Sequence, residues 1–447
     1  MATVLSEAQA PCMTLGAMEA MDAIKESLVL VHSPPGCVAY LNTINAVGRG
    51  RKMNLKCTLL SENDVIFGAE DKAKAYIRQA DRQFEPRVMA VLNACASKTI
   101  GEDIEDIVQQ VQYDVNAKLI AVPTCGYEGD LVDGYRMALE RLVDALVEEP
   151  ETREENSINL LGYFSDDSNL EEIERLIKEL GLHIRCVFTS GTTLEDIQRA
   201  SQASLGVLLC EPAASSIAHT MKERWGVPYV GHDSLAPYGF EATATWLREI
   251  ARATGREKEV EALIARESAV AREEVARLDG QLKGKRVAIV AAVERAIALT
   301  NFLCELGVEP ILVGTSSGTS EQADELLQKV IREKGINPQV NVHINLFQIE
   351  EVLKEDKPDL LLGGSSWNHL ALADMYNVPL VPVAIPVEPL RVRGSEPFMG
   401  FRGIPTLVKE LLQGLREGNR PMYQLFEDRL RDPLSRTGPP APPKRKR

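Results

Sequence analysis

One pattern limits the fold of this 447-residue chain more than any other. Continuous apolar, β-branched runs alternate with amphipathic helical stretches along most of its length. "RVMAVLNACA" leads to "GEDIEDIVQQVQYDV", and "KLIAVPTCGYEGD" leads to "LVDGYRMALERLVDALVEE". A second cycle opens at "INLLGYFSDDSNLEEIERLIKELGLHIRCVF" and a third at "GKRVAIVAAVERAIALTNFLCELGVEPILVGTS". Strands that are apolar throughout are buried on both faces, as in parallel sheets covered by helices. The predicted fold class is α/β, built from Rossmann-like units. The unit strand, helix, "ELG(L/V)", strand occurs twice, at 158–188 and 286–313, as a weak internal repeat. Residues 241–285 are helical in pattern and rich in charge, and read as a connector. Boundaries near 150 and 280 follow, with units at 1–150, 151–280 (including the connector) and 281–416. Residues 417–447 end in the Pro-rich, then basic text "PLSRTGPPAPPKRKR". They are expected to pack on the first unit or to be disordered.

Charge and hydropathy exclude some partners. Acidic residues outnumber basic ones by 65 to 50, for a formal net charge of −15, which argues against nucleic acid. No apolar run reaches the ~18–20 residues that span a bilayer. The N-terminus lacks the basic start and apolar stretch of a signal peptide. A cytoplasmic protein is expected, without a membrane or nucleic-acid partner. Its eight cysteines should then be free thiols or ligands.

Three of those cysteines, Cys12, Cys37 and Cys95, sit in Gly- or Pro-punctuated segments of the first hundred residues. Their spacing is too wide for a zinc ribbon, so separate loops would have to converge on one soft metal or cluster. Three thiolates are one short of a four-cysteine site. That points to a second subunit, or an unusual cluster, for what is missing. In "SPPGC" two prolines and Gly36 are expected to fix a tight loop whose amides face the Cys37 sulfur. A helix opens close after Cys95, a position that favours thiolate. Cys95, Cys125 and Cys210 fall at or just after predicted strand ends, where open α/β sheets bind ligands. Cys125 is assigned packing or a supporting role near the metal. Cys57, Cys186 and Cys304 lie in apolar contexts and read as core.

Among the histidines no H-x-x-x-H or H-E-x-x-H occurs. His232 in "VGHDSLAP" and His369 in "GGSSWNHL" follow strand ends and are the candidates for proton delivery. The Gly/Pro-rich stretch "PVEPLRVRGSEPFMGFRGIP" carries Arg391 and Arg393, which could wall an anionic cluster or substrate. Neither G-x-G-x-x-G after a strand nor G-x-x-x-x-G-K-[ST] is present, so no nucleotide site is expected.

Taken together, several stretches resemble the nitrogenase component-1 superfamily. They are "LGA" after Cys12, "VHSPPGCVAY" around Cys37, "ENDVIFGAEDKAKAYI" at 62–77, "NACASKTIGEDIEDI" around Cys95, "VPTCGYEGD", and "LLCEPAASSIAHTMKERWGVPYV". The superfamily includes nitrogenase α and β subunits, cofactor-assembly scaffolds, tetrapyrrole reductases and methylthio-alkane reductases. The resemblance implies three Rossmann-like domains, the first of them cluster-binding and at a subunit interface. It implies an Fe–S cluster there, P-cluster-like or [4Fe-4S], with Cys12, Cys37 and Cys95 as this chain's ligands. It implies a homologous β-type subunit in an α2β2 assembly, or a homodimer. Electrons would come from a transient, ATP-hydrolysing iron protein, which accounts for the missing nucleotide motif. Cys210 matches the position where α-type subunits and their scaffold relatives hold a second, large Fe–S cofactor. The third-domain histidine of nitrogenase α subunits is absent from "VAIPVEPLRVRG". The resemblance therefore favours a nitrogenase-like reductase acting on a small molecule, with a methylthio-alkane as first choice. A non-catalytic scaffold is the first alternative. A tetrapyrrole reductase, in which Cys210 would be idle, is the second.

Overall fold

Three separate parallel sheets account for the apolar runs. A computed structural model describes residues 12–49, 53–163, 167–232, 234–278, 280–318, 320–364, 367–384 and 395–418. The first unit runs α1 (Met13–Asp22), β1 (Ser27–His32), α2 (Pro35–Arg49), β2 (Leu55–Cys57), α3 (Glu62–Phe67), α4 (Glu70–Phe84), β3 (Val88–Asn93), α5 (Cys95–Thr99), α6 (Ile104–Val111), β4 (Lys118–Val122) and α7 (Leu131–Leu146). Its strands order β2-β1-β3-β4.

The second unit runs β5 (Glu154–Leu161), α8 (Ser168–Glu179), β6 (His183–Phe188), α9 (Leu194–Gln198), β7 (Ala203–Leu208), α10 (Glu211–Trp225) and β8 (Tyr229–Val230), in the order β6-β5-β7-β8. Two long helices follow, α11 (Gly239–Thr254) and α12 (Glu257–Ala276). The third unit runs β9 (Arg286–Ala291), α13 (Val293–Glu305), β10 (Glu309–Thr315), α14 (Glu321–Lys334), β11 (Gln339–Val342), α15 (Leu346–Glu355), β12 (Leu360–Gly364), α16 (Trp367–Tyr376), β13 (Leu380–Ala384) and α17 (Gly400–Glu417). Its sheet is five-stranded, β11-β10-β9-β12-β13.

Every strand pair is parallel. Strand order reverses between β1 and β3, between β5 and β7, and between β9 and β12. Each reversal opens a crevice beyond the carboxyl ends of those strands. The repeated "ELG" text closes α8 and α13 in the same way. Gly181 and Gly307 take φ of +70° and +69°. The next residue's amide reaches back five residues, from Leu182 to the Ile177 carbonyl (3.2 Å) and from Val308 to Leu303 (3.0 Å). Glycine pays no steric cost in this left-handed helix stop.

Buried side chains are shared between units. One cluster joins α1 and α7 to α10 and to the ends of β5, β6 and β7. Another joins α8 to α11, α12, α13 and α17. The charge-rich connector thus forms two helices that pack on the last one. Asn169 seats α17, its side-chain oxygen accepting from the Phe398 and Met399 amides at 2.6 and 3.1 Å. Helices α1 and α7 cross through two glycines. A Cβ on Gly16 would lie 1.8 Å from the Leu131 carbonyl oxygen, and one on Gly134 would lie 1.8 Å from that of Met13. No helix among the described residues is long and apolar enough to cross a membrane. Residues 419–447 lie outside the described residues, and with them the expectation for the tail.

Candidate functional site

The first crevice gathers thiols. His32 ends β1 and pairs in register with Asn93, which ends β3. The chain leaves β1 into Cys37 and leaves β3 into Cys95, so parallel pairing alone brings those two segments side by side. Cys12 arrives from the other direction. It caps α1 and bridges Asp130 at the start of α7, so the Gly16/Gly134 crossing fixes its place. Gly126 lies against both: a Cβ there would sit 3.1 Å from the Cys95 sulfur and 3.9 Å from that of Cys12. Cys12 and Cys37 are half-buried and Cys95 is exposed.

Burial pushes the Cys12 thiol up, and the nearby Cys95 adds to the shift. Burial also raises Cys37, assisted by Cys95, Cys12 and Cys57. Cys125 is fully buried after β4, and its thiol is raised by burial, with the nearby Cys95 adding to the shift. Four expected residues, Cys12, Cys37, Cys95 and Cys125, therefore meet. Cys57, expected in the core, joins them, because β2 pairs with β1 and puts Cys57 opposite Val31 near the same strand ends.

The tight loop expected around Gly36 is instead the first turn of α2, with Pro35 as its first residue. Proline suits that position because its φ is preset and no donor is lost. The result still leaves first-turn amides without helical partners. Among the described residues no three Cys, His, Asp or Glu side chains are close enough to hold one metal ion. A polynuclear cluster differs from a single ion in that its irons bind separate thiolates.

The second crevice holds Cys210, which follows β7 and caps α10. Its sulfur donates to Glu294 at 3.1 Å. Glu294 lies in the first turn of α13, after β9, so the crevices of the second and third sheets face each other across this contact. Cys210 is buried and Glu294 is half-buried. Burial and the Glu294 charge push the Cys210 thiol well up, and burial lifts Glu294 to about 7. Glu211 accepts from Ser320 at 3.0 Å. His232 Nδ1 is 4.0 Å from Glu211 and, like the Ser234 hydroxyl, is a buried polar atom without a hydrogen bond. A cavity of about 20 Å³ lies among Glu211, His232, Ser234 and Glu294, the size of one water. His369 lies apart from this lining, on α16, with Nδ1 3.1 Å from the Gly364 carbonyl; burial lowers its pKa. Arg391 and Arg393 lie outside the described residues. Glu294 and Glu211 escaped sequence reasoning; each acid follows a strand end by three residues, a signal shared by many surface acids.

The raised Glu294 carboxyl predicts a pH dependence. The folded state holds its proton between about pH 4.5 and 7, where the unfolded chain has released it, so stability falls as pH rises through that window. The loss amounts to about 3 kcal/mol above pH 7. Glu294→Gln removes that slope, read as the difference between wild-type and variant denaturant unfolding of metal-free protein at pH 5 and 8. Equal pH slopes in the two proteins contradict the assignment.

A family model described as nitrogenase component 1 type oxidoreductase matches residues 12–416. The chain belongs to that family. It is 28% identical to a nitrogenase molybdenum-iron protein alpha chain of Methanothermobacter marburgensis, over 91% of this chain and 86% of the relative. It is 27% identical to the nitrogenase iron-molybdenum cofactor biosynthesis protein NifE of Methanococcus maripaludis, over 81% of this chain and 76% of the relative. A solved structure titled "Nitrogenase Cp1 at pH 6.5" superposes with a TM-score of 0.82 at 23% identity, covering 91% of this chain and 92% of that one, which bears on the fold alone.

Iron–sulfur clusters are the cofactors of this family. The first crevice fits one: soft donors converge from three segments, and Gly126 leaves the space beside two sulfurs that any side chain would fill. At the second crevice Cys210 fits as a single soft donor. The water-sized cavity beside it is lined by its neighbours Leu209 and Glu211 rather than by Cys210 itself.

Proposed function

We propose that this chain is an α-type subunit of an ATP-dependent, two-component nitrogenase-like reductase. The observation that carries the reading is the convergence of Cys12, Cys37 and Cys95 at the strand reversal of the first sheet, with Cys95 still exposed. Those three thiolates are this chain's share of a ligand set completed by a homologous β-type subunit or a second copy. A cluster bound there supplies one-electron transfer at low potential. The first-turn amides at Gly36 and the Cys125 thiol are the groups that would tune that transfer. Electrons come from a transient iron protein that hydrolyses ATP.

Reduction of a small substrate is assigned to the second crevice, with Cys210 as the residue that would hold a second Fe–S cofactor. Glu294, lifted to about 7, exchanges a proton near neutral pH, and His232 presents an unpaired ring nitrogen to the same cavity; both can deliver protons. His369, which lies apart from that lining, is proposed as a more distant proton source, and Arg391 and Arg393 as anion-binding residues. A thioether is the proposed substrate class. Two electrons and two protons convert its C–S bond into S–H and C–H, releasing a thiol and a hydrocarbon.

The experiment combines the purified complex, its iron protein, ATP, a low-potential reductant and a small methylthio-alkane. Thiol and hydrocarbon in equal amounts are expected. Absence of both from iron-loaded protein favours the second reading, an assembly scaffold, which the similarity to NifE supports. A tetrapyrrole reductase is the third reading, and there Cys210 would hold no cluster.

A further inference from the structure

A polar network lies beneath the thiols of the first crevice. His32 and Glu102 are almost wholly buried, at 0% and 7% exposure. Glu102 Oε2 pairs with His32 Nε2, and its Oε1 accepts from the Ala69 amide at the junction of α3 and α4. His32 Nδ1 meets the Thr58 hydroxyl at 2.9 Å, and that hydroxyl accepts from the Ser33 amide at 3.2 Å. The assignment is self-consistent with neutral His32. Nε2–H donates to the carboxylate, Nδ1 accepts from Thr58, and Thr58 remains free to accept from Ser33. Burial lowers the His32 pKa, which agrees with the neutral ring.

The same pair reaches the Cys95 segment. The Ser97 hydroxyl donates to the His32 carbonyl at 2.6 Å and accepts from the Ala94 amide at 3.0 Å. The Glu102 amide donates to the Ser97 carbonyl at 3.2 Å, and Asn93 donates to the Glu102 carbonyl at 3.4 Å. Asp64 and Lys72 are the other charged groups felt at His32, and they pair with each other at 2.7 Å. Three segments are thus tied at one buried point: Ser33, which leads into the Cys37 helix; Ala94 to Ser97, which carries Cys95; and the α3–α4 junction. A buried ionisable pair is a poor source of stability compared with apolar packing, but it fixes one arrangement.

We propose that the His32–Glu102 pair is a positioning latch that sets the relative placement of the Cys37 and Cys95 thiols. The pair touches neither sulfur and acts through the segments that carry them. For the loaded protein the proposal rests on the reading that these thiols hold a cluster; for the metal-free protein it stands on the geometry alone.

The test uses Glu102→Gln and His32→Gln in the complex as isolated, with Glu105→Gln on the surface of α6 as control and Glu102→Asp as the charge-conserving variant. In iron-loaded protein, both Gln variants keep wild-type iron. They shift the one-electron equilibrium of the cluster at least tenfold, about 59 mV in midpoint potential, with a changed electron paramagnetic resonance spectrum. Glu102→Asp shifts less, and Glu105→Gln matches wild type. In metal-free protein, iodoacetamide modification of Cys37 and Cys95, followed by mass spectrometry, changes in rate at least tenfold in the Gln variants. Unchanged potential and spectrum with unchanged modification rates overturn the latch. If wild type itself binds no iron, the cluster reading fails, and the modification rates alone decide the latch. If a Gln variant fails to fold, Glu102→Asp is measured in its place, and wild-type behaviour in it on every readout counts against the proposal.

Discussion

Gly134→Ala should be among the most damaging single-methyl changes at the described glycines. The added Cβ would lie 1.8 Å from the Met13 carbonyl oxygen, and Gly16→Ala would place one equally close to that of Leu131. Both obstacles are backbone, so no rotamer change relieves them; the two helices must separate by more than an ångström. The α1–α7 contact is a seam of the shared core, with Leu15, Met18, Leu131, Tyr135 and Leu139 all buried along it. Opening it loses close packing along both helices. The expected cost is about 3 kcal/mol or more for either substitution, seen as a lower denaturant midpoint. The second consequence is local. Cys12 immediately precedes Met13, so the same displacement draws its thiol away from Cys95 and Gly126. Reduced iron retention should accompany reduced stability. Wild-type stability in Gly134→Ala would contradict the helix crossing itself.

Cys37→Ala and Cys95→Ala should behave oppositely, with a large loss of iron and a small loss of stability. Cys95 is exposed and Cys37 is half-buried on the first turn of a helix. Alanine is a good helix residue, and neither thiol fills a sealed core. Stability should fall by about 1 kcal/mol or less. Iron and sulfide in the first crevice should be lost together, because removing one of three thiolates leaves an iron without its protein ligand. Cys186→Ala is the contrasting case. Cys186 is buried in β6 within the shared core, so its truncation should cost stability and no iron. Wild-type iron content in Cys37→Ala or Cys95→Ala would remove those residues from the ligand set.

Much of the fold was legible because its signals are local. Apolar runs mark strands buried on both faces, and the "ELG" stops mark where α8 and α13 end. The candidate site was partly legible for a different reason: Cys95, Cys125 and Cys210 follow strand ends, and parallel topology gathers such positions into crevices. Contacts set by pairing register were not legible. Cys57 read as core because nothing in its own segment tells that β2 lies beside β1. Glu294 was missed because its partner, Cys210, is on a different sheet, and the facing of two sheets has no sequence period. Gly16 and Gly134 look ordinary until the helices that carry them are crossed. The Gly36 segment was misread as a loop because Pro-Pro-Gly suits turns as well as helix starts, and the helix is decided by the apolar residues after it, Val38 and Leu41, which are buried.

The most direct test is an iron and sulfide count on the complex purified without oxygen, beside the same count for Cys210→Ala. Two Fe–S centres predict more than about four irons per pair of subunits, with part of the iron lost in Cys210→Ala and the first-crevice share retained. About four irons, equal in both proteins, would confine metal to the first crevice and contradict a cofactor on Cys210. Wild-type protein without iron or sulfide would contradict the reading of the thiol crevice itself.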